Sequence, residues 1–199
     1  MADFAIEAAL LRDGRRLVCG LDEVGRGCLF GPVVAGAVIL DPGRLNPEYD
    51  DSKRLSPARR LRLAADIYRR ARAFSIGWSW NEEIDRDNIL VATRRAMLRA
   101  FRRLQLVPDF ALVDALDPGF LPVAGRAVVG GDGKSLSIAA ASIIAKVFRD
   151  RLLEDLAPYF PAFDLAKNKG YPTRHHRNVL SYEGETIFHR VSFKREHGS

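Results

Sequence analysis

Gly20-Leu21-Asp22-Glu23-Val24-Gly25-Arg26-Gly27, continuing through Gly31-Pro32 into Val33-Val34-Ala35-Gly36-Ala37-Val38-Ile39-Leu40, is the stretch on which the fold turns. Residues 16–21 read as a strand that runs straight into two acids. Residues 25–31 are a glycine-rich loop, and 33–40 form an unbroken apolar run of the kind covered on both faces. A loop this short permits an antiparallel hairpin.

Working outward, Ser56-Pro57 has the form of an N-cap followed by proline in the first helical turn, predicting a helix to about Ala71. Phe74, Ile76, Trp78 and Trp80 alternate with other residues, as a third strand would. Residues 81–105 read as helix, in one or two pieces, with its many arginines on a solvated face. Residues 110–113 form a short strand ending in Asp114, and 127–129 form another, followed by two glycines and Asp132. Residues 137–157 are a strong helix with an alanine-rich first half, ended by Pro158 and Pro161. Thr173 caps a last helix that stops near Gly184, and the basic tail Phe193-Lys194-Arg195 is expected to be loose. Hairpin strands first and alternating units later predict an α/β chain with a mixed sheet and helices on its faces.

The 199 residues suit one domain, 47% of them are apolar, and the chain is not a disordered one. Lys and Arg exceed Asp and Glu by a net +6, which suits a polyanionic partner without specifying one. Cys19 and Cys28 make neither a CxxC pair nor a Cys/His zinc pattern and read as reduced thiols. The first residues mix acids with apolar groups and do not read as a signal peptide, and no run reaches membrane-spanning length. A cytoplasmic protein is expected. Gly133-Lys134-Ser135 resembles the end of a phosphate-binding P-loop, but Val128 stands where that motif needs glycine.

Asp22, Glu23, Asp114 and Asp132 all follow apolar strand-like runs. Any one of them alone is an ordinary solvated acid near a turn. As a set at strand ends they form an oxygen-only donor group suited to Mg²⁺, and two such ions can drive phosphodiester hydrolysis. Adjacent Asp22 and Glu23 cannot share a face of a regular strand. Either the strand ends or bulges there, or Glu23 acts partly through its backbone carbonyl. His176 reads as a surface or capping residue rather than a base, and Asp150 as a structural partner of Arg149 or Lys146.

The opening stretch resembles the start of the type 2 ribonucleases H, the ribonuclease HII family. Asp51-Ser52-Lys53, Val113-Asp114, Gly131-Asp132, residues 139–150 and Lys169-Gly170-Tyr171-Pro172-Thr173 resemble that family's further motifs, in its order, over roughly residues 16–193. The short gap between Asp114 and Asp132 is similar to the bacterial branch. Arg26, and the few residues before the first strand, set the chain apart from the sister ribonucleases HIII. Ala115-Leu116-Asp117 departs from the Gly-Asn that bacterial relatives often carry after the corresponding acid, which touches only that loop.

The resemblance implies a ribonuclease H-like fold with a mixed five-stranded sheet flanked by helices. It implies one catalytic domain over 1–199, with a C-terminal helical appendage from about 158 to 199 packed on the substrate cleft. It implies hydrolysis of the RNA-containing strand of RNA/DNA hybrids, including 5′ of single ribonucleotides in DNA, giving 3′-hydroxyl and 5′-phosphate ends. Asp22, Glu23, Asp114 and Asp132 would be the catalytic and metal-binding set, for two Mg²⁺ or Mn²⁺ ions. Gly25, Arg26 and Gly27 would read the ribonucleotide, since paired backbone groups can bind a 2′-hydroxyl that both donates and accepts. Tyr171 would pack on the sugar 3′ of it, and Lys53, Ser142 and Lys169 are candidate phosphate contacts. The partners expected are RNA/DNA hybrid and ribonucleotide-containing DNA, with a monomeric enzyme and no membrane. The alternative is another two-metal nuclease of the same fold acting on DNA, resolvase- or integrase-like, which would need no 2′-hydroxyl reader.

Overall fold

A Cβ on Gly20 would meet the backbone of Ser137 at 2.2 Å, and one on Gly36 would meet the Ala141 carbonyl at 2.3 Å. These close approaches place one helix directly on the sheet. The computed structural model describes residues 1–194. In chain order its elements are α1 (Ala5–Arg12), β1 (Val18–Val24), β2 (Val33–Ile39), α2 (Pro57–Arg70), β3 (Ala73–Ser79), α3 (Asn81–Asp87) and α4 (Ile89–Arg102). Then follow β4 (Phe110–Asp114), β5 (Gly125–Val128), α5 (Leu136–Leu156), α6 (Leu165–Asn168), α7 (Arg174–Glu183) and α8 (Val191–Lys194).

The sheet order is β3-β2-β1-β4-β5. β1, β2 and β3 are antiparallel neighbours, while β4 runs parallel to β1 and β5 parallel to β4. This is the mixed five-stranded sheet expected from the sequence. Along β2, Val33, Ala35, Ala37 and Ile39 pack with Ala92, Ala96, Met97 and Ala100 of α4. Val38 faces the other way, onto Ala140, Ile143 and Ile144 of α5 and Leu63 and Ile67 of α2. Helices cover both faces, which is why β2 reads as continuously apolar. The alanine-rich half of α5 follows from the same geometry, because larger side chains would hold it off the glycines beneath.

Local signals act as the sequence suggests in most places. Ser56 Oγ accepts from the Arg59 amide with Pro57 behind it, and Thr173 caps α7, which ends at Gly184. The 81–105 region divides at Asn88, whose φ of 76° breaks the path and whose side chain caps α4.

Four local readings change. α1 is a helix that the sequence reading passed over as lead-in. Its Glu7 is buried, with Oε1 accepting from Ser135 Oγ, the Ser137 amide and Ser137 Oγ at the start of α5. Trp80 does not extend β3; it precedes α3 as its N-cap residue. β5 is Gly125–Val128 rather than 127–129, because it pairs with Ala111–Asp114 of β4. Of the tail expected to be loose, Phe193 and Lys194 lie in α8, and Arg195 lies outside the described residues. Among the described residues no helix is long and apolar enough to cross a membrane.

Candidate active site

Asp22 and Asp114 are brought together by register. β1 and β4 pair in parallel up to Leu21 beside Val113, so the next residues on each strand, Asp22 and Asp114, stand side by side. Leu21 and Val113 pack on the α4 side. Strict alternation then turns Asp22 and Asp114 to the α5 side. Asp132 sits in a single helical turn, Gly131–Gly133, just after β5. All three acids therefore lie at the carboxyl ends of mutually parallel strands, where open α/β sheets form their crevices. Asp114 Oδ1 accepts from the Gly131 amide at 2.7 Å, which fixes the Asp132 turn against β4.

β1 continues without a bulge to Val24, opposite Val34. The strand neither ends nor bends between Asp22 and Glu23, so the two side chains leave on opposite faces. Glu23 Oε1 lies 3.3 Å from Arg26 Nη1, and Glu23 Oε2 is buried with no hydrogen-bond partner.

Electrostatics mark these acids as a strained group. Burial pushes the Asp22 pKa well above the carboxylate range; Glu23, Asp114 and Asp132 push it further, and the Ser142 hydroxyl opposes them. Burial also raises Glu23, against the Arg26 guanidinium, with Asp114 adding to the rise. Asp132 is raised by burial and by Asp51 and Asp114, opposed by Lys53, whose ammonium stands 3.8 Å away. Among the described residues no three His, Cys, Asp or Glu groups are already closed around an ion-sized space. The donor set nonetheless fits hard divalent cations: oxygen ligands only, mutual repulsion that positive charge would relieve, and one orphaned buried oxygen on Glu23.

Beside the acids lies a cleft of about 460 Å³ lined by Glu23, Gly25, Arg26, Gly27, Lys53, Ser142 and Tyr171, among others. Ser142 Oγ and Ser52 Oγ are hydrogen-bonded at 3.0 Å, joining α5 to the segment that carries Lys53. Lys146 Nζ stands 5.8 Å over the Tyr171 ring and pairs with Asp150 at 2.7 Å. Asp150 also faces Arg60 at 3.7 Å, so it has Lys146 but not Arg149 as its partner. Lys169 is placed differently from the other candidates. Its ammonium binds Glu154 and the Ala166 carbonyl, and it lines a neighbouring groove with Arg60, Arg151 and Lys167.

His176 is neither a surface residue nor a base at this cleft. Its backbone amide does donate to the Thr173 cap, but its ring is fully buried between Tyr171 and His189. The sequence gives no role at the cleft to Asp51, which stands beside Asp132, or to Lys146, which stands over Tyr171, and it does not single out the buried Arg190. Nothing in the local sequence separates such groups from solvated charges; only the chain crossings reveal them.

Comparison with known proteins agrees with this fold. The family model described as Ribonuclease HII matches residues 19–196. The chain is 50% identical over 196 residues to a ribonuclease HII of Ruegeria pomeroyi, covering 98% of this chain and 83% of that protein. It is 48% identical to one of Moorella thermoacetica over 191 residues, covering 96% and 93%. The crystal structure of ribonuclease H2 from Pyrococcus horikoshii superposes with a TM-score of 0.75 at 26% identity, over 91% of this chain and 96% of that one. With a family match over nearly the whole chain and the acids at the ends of its parallel strands, the protein belongs to the ribonuclease HII family.

Proposed function

We propose that the protein hydrolyses the RNA-containing strand of RNA/DNA hybrids and also cuts on the 5′ side of a single ribonucleotide in a DNA duplex. The observation that carries this reading is that Gly25, Arg26, Gly27 and Tyr171 line one cleft with Glu23, next to Asp22 and Asp114. A cutting group and a sugar-reading group thus share one edge of the sheet.

Asp22, Glu23, Asp114 and Asp132 would hold two Mg²⁺ or Mn²⁺ ions, whose chemistry there would be Lewis-acid activation of water and neutralisation of charge on the cleaved phosphate. Glu23, whose side chain leaves the opposite face of β1 from Asp22, would take part through its backbone carbonyl or through its unpartnered Oε2. The open backbone at Gly25 and Gly27 meets the 2′-hydroxyl, and Arg26 reaches an adjacent phosphate. Gly27 has nothing within 4 Å of where a Cβ would sit, so its loop face is open to a sugar. The exposed Lys53 ammonium, next to Asp132, meets a second phosphate, and Ser142 adds a hydroxyl on the same wall. Tyr171 packs on the next sugar, where a second 2′-oxygen would crowd it. The segment from about residue 158 onward completes the cleft by delivering Tyr171.

Because the 2′-hydroxyl is read rather than used as nucleophile, a site built for it penalises its absence through its own unpaired polar groups. The test is cleavage of matched duplexes, one all DNA and one with a single ribonucleotide, with Mg²⁺ present. The duplex with the ribonucleotide should be cut and the other left intact; equal cutting of both would make the protein a DNA-cutting nuclease of the same fold.

A further inference from the structure

Arg149 of α5 is fully buried, yet it spends its donors on main-chain carbonyls of two separate loops. Its Nε donates to Pro32 O at 3.0 Å and its Nη2 to Phe30 O at 2.9 Å, both in the loop that follows Gly25-Arg26-Gly27. Its Nη1 donates to Lys169 O at 2.7 Å, two residues before Tyr171. The loops also touch directly, the Leu29 amide donating to Gly170 O at 2.9 Å.

The fit leaves no slack. A Cβ on Gly25, where φ is +89°, would fall 2.2 Å from Arg149 Nε, and one on Gly170 would fall 2.8 Å from Phe30 O. Arg190 braces the first loop from the other side, through Gly31 O and Arg26 O, each at 2.9 Å. Among the described residues neither guanidinium has a carboxylate at ion-pair distance. A buried charge held only by carbonyl dipoles is a poor device for stability, which a well-packed apolar group would serve better. It is a good device for geometry, because the planar fork fixes several acceptors at once in a way an ammonium cannot.

We propose that Arg149 is a positioning residue that sets the spacing between the Gly25-Arg26-Gly27 loop and Tyr171, and through it the preference for a lone ribonucleotide over continuous RNA. The inference rests on the functional reading above. A lone ribonucleotide demands that the hydroxyl reader and the ring on the following sugar be held one nucleotide apart, whereas continuous RNA offers a hydroxyl at every step.

The experiment compares kcat/KM on a DNA duplex with one embedded ribonucleotide to kcat/KM on a continuous RNA/DNA hybrid. It uses the full chain and its Arg149→Lys, Tyr171→Ala and doubly substituted forms. Arg149→Lys should lower the ratio roughly tenfold, as a small misplacement of positioning groups does. In the Tyr171→Ala background it should lower the ratio no further, because its effect passes through that ring. An equal loss on both substrates, or the same drop in both backgrounds, would make Arg149 merely structural and overturn the proposal. If Tyr171→Ala lowers the ratio and Arg149→Lys does not, the proposal fails alone. If Tyr171→Ala leaves the ratio at the wild-type value, the functional reading fails and takes the proposal with it. Should Arg149→Lys not fold, Gly170→Ala, which presses on Phe30 O, should lower the same ratio; an unchanged ratio there overturns the proposal.

Discussion

At the residue scale, the four acids carry the sharpest expectations. Asp22→Asn, Asp114→Asn and Asp132→Asn should each cut kcat by at least about a hundredfold, because on the proposed reading each would remove a negative metal ligand while keeping the volume. The apo Asp22→Asn protein should also melt higher than wild type. Its folded-state pKa is raised, so the ionised side chain costs stability at neutral pH, and the amide removes that cost. Melting temperatures without metal check this, and a lower value for the variant would contradict it. Glu23→Gln separates the two routes open to that residue: loss of cleavage assigns the carboxylate, and near-normal cleavage assigns the backbone carbonyl. Gly27→Val should impair cleavage more than folding, since open space surrounds that position, whereas Gly25 is closed by Arg149. Asp22, Asp114 and Asp132 were legible because charge is out of place after apolar strands. The neighbour each acid meets was not, since Asp51 and Lys53 reach Asp132 only through the fold.

At the scale of elements, the turn before α7 is tied to residues 186–189 by a chain of tautomers. His176 Nδ1 lies 3.0 Å from Tyr171 O, which only accepts, so that nitrogen carries the proton. Its Nε2 then accepts from His189 Nε2 at 3.1 Å, and His189 Nδ1 accepts from the Thr186 amide and hydroxyl. Burial, helped by the neighbouring His175, draws the His176 pKa below its usual 6.5, against the Tyr171 carbonyl. The folded pKa is therefore the lower one, and the unfolded chain takes up the proton first as pH falls. The stability from neutral His176 is present above about pH 6.5 and is lost as pH drops through that value toward the folded pKa. Melting temperature should fall between about pH 7 and pH 5.5, and His176→Gln should flatten that slope. A slope that His176→Gln leaves unchanged would place the titration elsewhere. The strands, α2, α5 and the cap of α7 were readable from periodicity and capping residues. α1 and the buried histidines were not, because what defines them is contact with α5 and with each other.

At the scale of the whole molecule, the net charge of +6 becomes useful only where basic groups meet the cleft. Hybrid binding should weaken steeply with salt, since released counterions dominate such affinities. Lys53→Ala should flatten the log–log slope by roughly one unit, its ammonium being exposed beside Asp132. Lys169→Ala should leave the slope alone, because Glu154 and a carbonyl already hold that ammonium. A flattened slope for Lys169→Ala alone would reverse the two assignments. The mixed sheet and its helical faces were visible in the order of strand-like and helical segments. The bridging of the two cleft loops by one buried arginine was not, because Pro32 and Arg149 are distant in sequence and only packing joins them.

The most direct measurement is the chemistry of the product ends after one embedded ribonucleotide is cut with Mg²⁺ present. In the proposed reaction, water attacking in line, with Asp22, Glu23, Asp114 and Asp132 holding the ions, would leave a 3′-hydroxyl on the preceding nucleotide and a 5′-phosphate on the ribonucleotide. Mass spectrometry of the fragments should find those ends, with the cut 5′ of the ribonucleotide. Fragments ending in a 2′,3′-cyclic phosphate would show the 2′-hydroxyl attacking, and would contradict a cleft that only reads it.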